Sequence, residues 1–315
     1  MGVKLLNKFL TTNFHNNGVE YTTLEFLKNK KICIDVSIFL YKFSFKKNEL
    51  LNNIKRMCEL FLKHRITPVF VFDGKPPEIK NEIINKRRRN RNNAMVEYNK
   101  LLDQYKNKEP PNKIKKKFEQ LKKDMVKINK KDISNVKEIL NIYGVTYLTA
   151  TGEADELCYA LVNSNEAFGC LSDDMDLFIY GTKFIFRDFD MDNETITYYN
   201  LNMIVKKMGM TPEHFRLFCI ISGTDYYYSP HNIFYNYKIY NKFLKTNKTS
   251  YYFWLIHNKY IDDNNLKLLD VKDMFTKQYI EILKTNKYKF RKSRCKKYKR
   301  NSYFTHKFET ACTCY

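Results

Sequence analysis

Residues 167–178 read AFGCLSDDMDLF. The apolar run through Leu171 reads as a buried strand, and Asp173, Asp174 and Asp176 follow it at once. Carboxylates this close repel one another and raise each other's pKa values. The same design occurs upstream. KICIDV, residues 31–36, is a short apolar strand ending at Asp35, and PVFVFD, residues 68–73, ends at Asp73 before the turn GKPP. VTYL after Gly144 reads as another strand, and KFIFRDF and TITYYN as a strand pair. Helical periodicity lies between them, in LLNNIKRMCELFLKH and NVKEILNIY. This alternation predicts an α/β fold with a mostly parallel central sheet flanked by helices. Ligands of such sheets sit outside the carboxyl ends of the strands. One aspartate at a strand end reads as a turn or helix cap. Three strands ending this way read as a site.

Further acids join them. TGEADELCYALV, from Thr151, starts a helix with Glu153 and Asp155 in its first turn, where the helix dipole also favours acids. RLFCIISGTDY ends an apolar helix at Gly223 and leaves Asp225 in the turn. Asp35, Asp73, Glu153, Asp155, Asp174, Asp176 and Asp225 can therefore converge at one sheet edge. Divalent cations resolve the repulsion: Mg²⁺ takes hard oxygen ligands and keeps waters. Two such ions about 4 Å apart activate water and stabilise the leaving oxygen of a phosphodiester.

Composition agrees. Lys and Arg number 56 against 34 Asp and Glu, a net charge of +22, which attracts polyanions. Solubility in a Lys- and Asn-rich chain is the plainer account of the same figure. No run of about 18 apolar residues predicts a membrane span. MGVKLLNKFL has neither signal-peptide nor myristoylation features, so the reading places the protein inside the cell, in the nucleus or, for a viral member, in the host cytoplasm or nucleus. The 8 cysteines show no CxxC pairing and read as reduced, mostly buried thiols. Four regions follow: 1–85, an N-terminal part of the α/β body; 86–131, strongly basic and polar; 132–228, the internal part; and 229–315, aromatic- and Lys-rich with a basic end. Pro110–Pro111 splits the basic region into two predicted helices, the second with a thin apolar stripe at Phe118, Leu121, Met125 and Ile128. This predicts a helical hairpin standing off the sheet; a solvated linker is the alternative. Lys80, Arg87 and Arg91, seven and four residues apart, share one helix face.

These residues resemble the flap endonucleases, the structure-specific 5′ nucleases of XPG type. MGVKLL, CIDVS, VFVFDGKPPEIK, GEADELCYA, LSDDMDLFIYG and GTDY follow in that family's order from Met1 to about Asp225, roughly seven-tenths of the chain. The resemblance implies a PIN-like 5′-nuclease fold. It implies two Mg²⁺ ions, with Mn²⁺ able to substitute. Asp35, Asp73, Glu153 and Asp155 match ligands nearer one ion; Asp174, Asp176 and Asp225 match ligands nearer the other. Asp173 matches a neighbouring acid that is not counted as a ligand. Lys80 and Arg87 match the pair that steers the scissile phosphate, with Arg91 beside them. Lys127 matches a basic residue on the second arch helix, and Tyr41 an aromatic that stacks on a nucleobase, with core packing as its alternative. Gly2 matches a glycine near the active site. The basic region resembles the arch beneath which a 5′ single-stranded flap threads.

The chain departs from the family in three places. The stretch after GTDY, YYYSPHNIFYNYKIYNKF, lacks the Gly-rich loop that grips duplex backbone. The segment between Tyr41 and Leu51 is short, which puts a strict double-flap preference in question. The tail carries no sliding-clamp motif. The expected function is Mg²⁺-dependent hydrolysis at 5′ flaps or junctions in branched or nicked DNA by a monomer. An endoribonuclease of the same fold remains open, because nothing in the sequence selects the sugar. A non-catalytic junction-binding protein would have lost acids, and all seven are present.

Overall fold

The computed structural model describes residues 2–45, 49–262 and 265–286. The basic block KSRCKKYKR and the CTC at Cys312–Cys314 lie outside the described residues. Seven strands form one sheet: β1 (Val19–Thr23), β2 (Lys31–Asp35), β3 (Thr67–Phe72), β4 (Thr146–Thr149), β5 (Gly169–Leu171), β6 (Phe184–Asp190) and β7 (Thr195–Asn200), in the order β1-β7-β6-β5-β2-β3-β4. The ladders β6-β5, β5-β2, β2-β3 and β3-β4 are parallel; β7 runs antiparallel to both β6 and β1.

Pleat alternation sorts the apolar residues onto two faces. Cys33, Val71, Cys170 and Ile185 enter one core, while Ile32, Ile34, Phe70, Phe72, Leu171 and Phe186 enter the other. Helices cover both faces, so the central strands read as continuous apolar runs. The chain leaves β2 for β3 and β4 on one side, then crosses back to β5 and β6 on the other. The order therefore reverses between the adjacent strands β2 and β5. Asp35 and the 173–176 cluster leave the carboxyl ends of these two strands, where a crevice opens in sheets of this kind.

Between β3 and β4 two helices, Asn81–Gln104 and Asn112–Asp124, stand apart as an antiparallel hairpin around Pro110–Pro111. Only Ala94 and Leu121 are buried on them, with Tyr98 edge-on to Phe118 at 5.3 Å. The first helix begins at Asn81, five residues before the basic run that marked the region in sequence. The second ends at Asp124. Lys127 is therefore not on it: it lies in the link to the helix Lys130–Ile142. The physical reason is a capping box, in which Asn129 and Asp132 satisfy each other's backbone N–H and start a new helix.

The described part of region 229–315 has no core of its own. Ile233, Tyr240, Tyr251, Trp254, Leu268, Phe275 and Ile282 join the same buried cluster as Leu6, Phe9 and Phe218. The last helix, Tyr279–Thr285, packs on the helix Ala154–Asn163, and Asn286 accepts the Thr151 backbone N–H at 2.8 Å. Among the described residues no helix is long and apolar enough to cross a membrane.

Candidate active site

The carboxyl ends of β2, β3 and β5 each lead into acids. Asp35 closes β2 and caps the helix Val36–Phe43, accepting the Ser37 N–H at 3.1 Å and the Ser172 hydroxyl at 3.0 Å. Asp73, just past β3, accepts the Ala154 N–H at 2.8 Å, so it caps the helix Ala154–Asn163 from another strand. It also accepts the Ser37 hydroxyl. Glu153 is the N-cap residue of that helix and Asp155 lies in its first turn. After β5, Ser172 receives the Asp174 N–H at 3.1 Å, and Asp174 receives the Asp176 N–H at 3.1 Å. These contacts fold the DDMD segment back over the sheet.

All seven acids line one cavity of about 930 Å³, together with Lys80, Arg87, Arg91 and Tyr41. Carboxylate oxygens of Asp155, Asp174 and Asp176 lie within 4.8 Å of one another. Asp35, Asp155 and Asp176 are at most 6% exposed. Burial, then the neighbouring charges, raises the pKa of each well above the usual aspartate range: Asp73 acts on Asp35, Glu153 on Asp155 and Asp174 on Asp176. One oxygen of Asp176, Oδ1, has no hydrogen-bond partner. Gly2 backs it at φ +85°, and a β-carbon there would stand 2.8 Å from that oxygen. The Gly2 position therefore needs glycine both for its backbone and for the carboxylate beside it.

Two cations cross the site. Lys80, in the turn that opens the first arch helix, is hydrogen-bonded to Glu153. Burial opposes its charge, but the carboxylates of Asp155 and Glu153 outweigh burial and raise its pKa. Burial raises the pKa of Glu153, and Lys80 partly offsets this. Two turns along the helix face, the Arg87 guanidinium donates to Asp225 at 3.3 Å. Lys80 thus reaches one group of acids and Arg87 the other. Tyr41 is 52% exposed on the cavity wall, so core packing does not account for it.

The structure keeps Asp173 out of the cluster; it accepts the Asp188 N–H at 3.0 Å and braces β6. Lys127 does not line the cavity, whereas Val126 beside it does. Three contributors escaped the sequence reading. Ser37 and Ser172 hold Asp35 and Asp73, and each stands one or two residues from a strand-end aspartate, a signal that was available. Tyr226, next to Asp225, donates to Glu153 at 3.4 Å.

The donors are all carboxylate oxygens, three of them converge, and one buried oxygen is unpartnered. This set fits hard divalent cations rather than soft ones.

A parallel sheet with acids at its switch point, under a basic arch, defines a class to which the sequence also matches. Residues 1–94 match the XPG N-terminal domain and residues 144–225 the XPG I-region, together more than half of the chain. Flap endonuclease 1 of Entamoeba dispar is 28% identical over 245 residues, covering 72% of this chain and 62% of its own. Flap endonuclease 1 of Glycine max is 31% identical over 245 residues with the same coverage. The chain thus belongs to the flap endonuclease family, while spanning about three-fifths of the length of these relatives. Among solved structures, the catalytic core of Rad2 in complex with DNA substrate superposes with a TM-score of 0.62 at 20% identity, over 90% of this chain and 95% of that one. Flap endonuclease-1 from Methanococcus jannaschii gives 0.57 at 19%, over 84% and 83%. These two likenesses establish the shared fold. Family members are generally dependent on divalent metal, and the acid cluster is of the kind that holds one.

Proposed function

We propose that this chain is a Mg²⁺-dependent, structure-specific 5′ nuclease that hydrolyses phosphodiester bonds at 5′ flaps or junctions in DNA. The observation that carries the reading is the convergence on one cavity of the seven strand-end and helix-start acids with Lys80, Arg87 and Arg91, and with Lys123 from the second arch helix. Asp35, Asp73, Glu153 and Asp155 would hold one ion, and Asp174, Asp176 and Asp225 a second, with Mn²⁺ able to replace Mg²⁺. Bound there, the ions supply an activated water and charge stabilisation for the leaving oxygen.

The protein's own side chains do the rest. Lys80 and Arg87, now spanning the two acid groups, are placed to take a phosphodiester between them, Lys80 as a mobile point charge and Arg87 as a planar fork. Arg91 extends the same face outward along the path of the strand. Tyr41 presents its ring for stacking against a base at the cut. The arch encloses the cavity from above, and the few apolar contacts holding it fit a segment that orders around a polyanion. Products with 5′-phosphate and 3′-hydroxyl ends follow from family chemistry. The described fold is complete in one copy, which suits a monomer on branched or nicked DNA.

DNA substrates are supported by the company the fold keeps: the Rad2 core was solved with a DNA substrate and human GEN1 with Holliday junction DNA. The test is a side-by-side cleavage of matched DNA and RNA 5′ flaps, a nicked duplex and a four-way junction, with Mg²⁺ and with chelator. Preferential, chelator-sensitive cutting of DNA flaps supports the proposal. Faster cutting of the RNA flap would replace it with the endoribonuclease reading.

A further inference from the structure

Behind the acids, Cys33, Cys158 and Cys170 meet in the core. Their sulfurs lie within 4.8 Å of one another, and all three side chains are fully buried. Cys33 and Cys170 are register partners on the parallel strands β2 and β5. The helix Ala154–Asn163 brings Cys158 over them, and the Cys33 thiol faces the Cys158 carbonyl at 3.7 Å and the Gly169 carbonyl at 3.5 Å. Buried cysteine packs as a small hydrophobe, which accounts for each thiol singly. It does not call for three of them, from three elements, to converge.

The geometry points to a ligand. Soft thiolate sets select soft centres. A bond to sulfur of about 2.3 Å puts the sulfurs of a three-coordinate centre about 4 Å apart or closer, within the spread observed. No fourth histidine, cysteine or carboxylate joins the group among the described residues. That disfavours zinc, whose structural sites are four-coordinate. Charge narrows the choice further. Three thiolates around Cu⁺ or Zn²⁺ leave net negative charge in an apolar interior, next to seven carboxylates. A trivalent centre leaves none.

We propose that this triad is a binding site for a trivalent arsenical, taken up as uncharged arsenous acid. Three S–H and three As–O bonds break, three As–S and three O–H bonds form, and three waters leave. No electrons are transferred. The site is coupled to the acids by position: Cys33 stands two residues before Asp35, Cys158 one turn from Asp155, and Cys170 at the root of the DDMD segment. A centre bonded to all three ties together the strands and the helix whose ends carry Asp35, Asp155 and Asp174.

The test uses the full chain with Cys295, Cys312 and Cys314 replaced by serine, so that tail thiols do not compete. Arsenite is added, excess is removed, and the adduct is weighed by mass spectrometry. One arsenic per chain is expected, with the mass of arsenous acid less three waters. Cys158→Ala and Cys170→Ala, each checked for an unchanged melting profile, are expected to retain at least about tenfold less. If one of them does not fold, the other carries the comparison. No arsenic on the parent chain, or equal retention by a folded variant, overturns the site. Flap cleavage is expected to fall in proportion to loading; a fully loaded protein that cuts as before overturns the coupling.

Discussion

Asp155 and Asp176 are ionisable side chains at 6% and 3% exposure, surrounded by further acids. Desolvation and like charge both work against them. Removing one charge without changing shape should therefore stabilise the metal-free protein. Asp155→Asn is expected to raise the melting temperature in chelator by a few degrees, the equivalent of about 1 kcal/mol, while lowering cleavage by about 10²-fold or more. Thermal melts with chelator and with Mg²⁺ check this, and a melting temperature that falls in chelator would contradict it. Gly2 makes the complementary case. Gly2→Ala forces a β-carbon against Asp176 from a backbone at positive φ. It is expected to lower cleavage while leaving the far core intact, measured by kcat beside the melting profile.

At this scale the acids were legible because strand ends fix direction. An apolar run of known period delivers the next residue to a known edge, as with Asp35 and Asp73. Asp173 and Asp174 are neighbours that point to different tasks, and only the backbone turn after β5 separates them. Lys127 falls off the arch for a similar reason: the apolar stripe runs on to Ile128, but the helix ends at Asp124 and the capping box at Asn129 starts a separate one.

At the scale of elements, the arch helix Asn81–Gln104 joins the two acid groups through Lys80 and Arg87. Its outer length is exposed, and alanine is the best helix former. Arg87→Ala with Arg91→Ala should leave the melting temperature unchanged while cleavage falls by about 10²-fold. A loss of folding stability matching the loss of activity would assign these arginines a structural task instead. The helix Pro212–Ile221 carries a different device. His214 Nδ1 lies 3.0 Å from the Tyr240 hydroxyl, which itself donates to the Gly209 carbonyl at 3.0 Å. The hydroxyl's proton is thus committed, and His214 serves as the donor.

Burial holds the pKa of His214 below the usual histidine value, despite opposing effects from Glu213 and the Thr249 backbone. Because the folded value is depressed, this stabilisation is present above the ordinary histidine pKa and is lost as pH falls through the folded one. Wild type should therefore lose more melting temperature between neutral pH and pH 5 than His214→Gln; parallel curves would contradict this. The arch itself was visible as two helices split by Pro110–Pro111. Strand β1 was not visible, because VEYTT has a single buried position and holds its place through pairing with β7.

Across the whole molecule, a charge of +22 coexists with an acid cluster at the sheet edge. The excess cations are on the arch and along the chain after Asp225, where residues 226–260 contain no acid. Binding of a flap duplex by Asp174→Ala should therefore weaken steeply with salt, by about 10³-fold or more between 50 and 200 mM if six or more phosphates are contacted. Anisotropy titrations give the slope, and a flat response would rule out backbone contacts as the main source of affinity. The continuity of the region after residue 229 with the α/β core was not legible. Its aromatic density is compatible with a separate module, and only long-range packing onto Phe9 and Phe218 shows otherwise.

The most direct measurement is the cut itself. A 5′-labelled flap duplex is incubated with the protein and Mg²⁺, beside Asp174→Ala and a chelator control, and the product is sized to the nucleotide. The account predicts a single incision near the junction, lost in both controls while Asp174→Ala still binds. Incision that persists without Asp174 or without divalent metal would contradict the claim that this carboxylate cluster is the reaction centre.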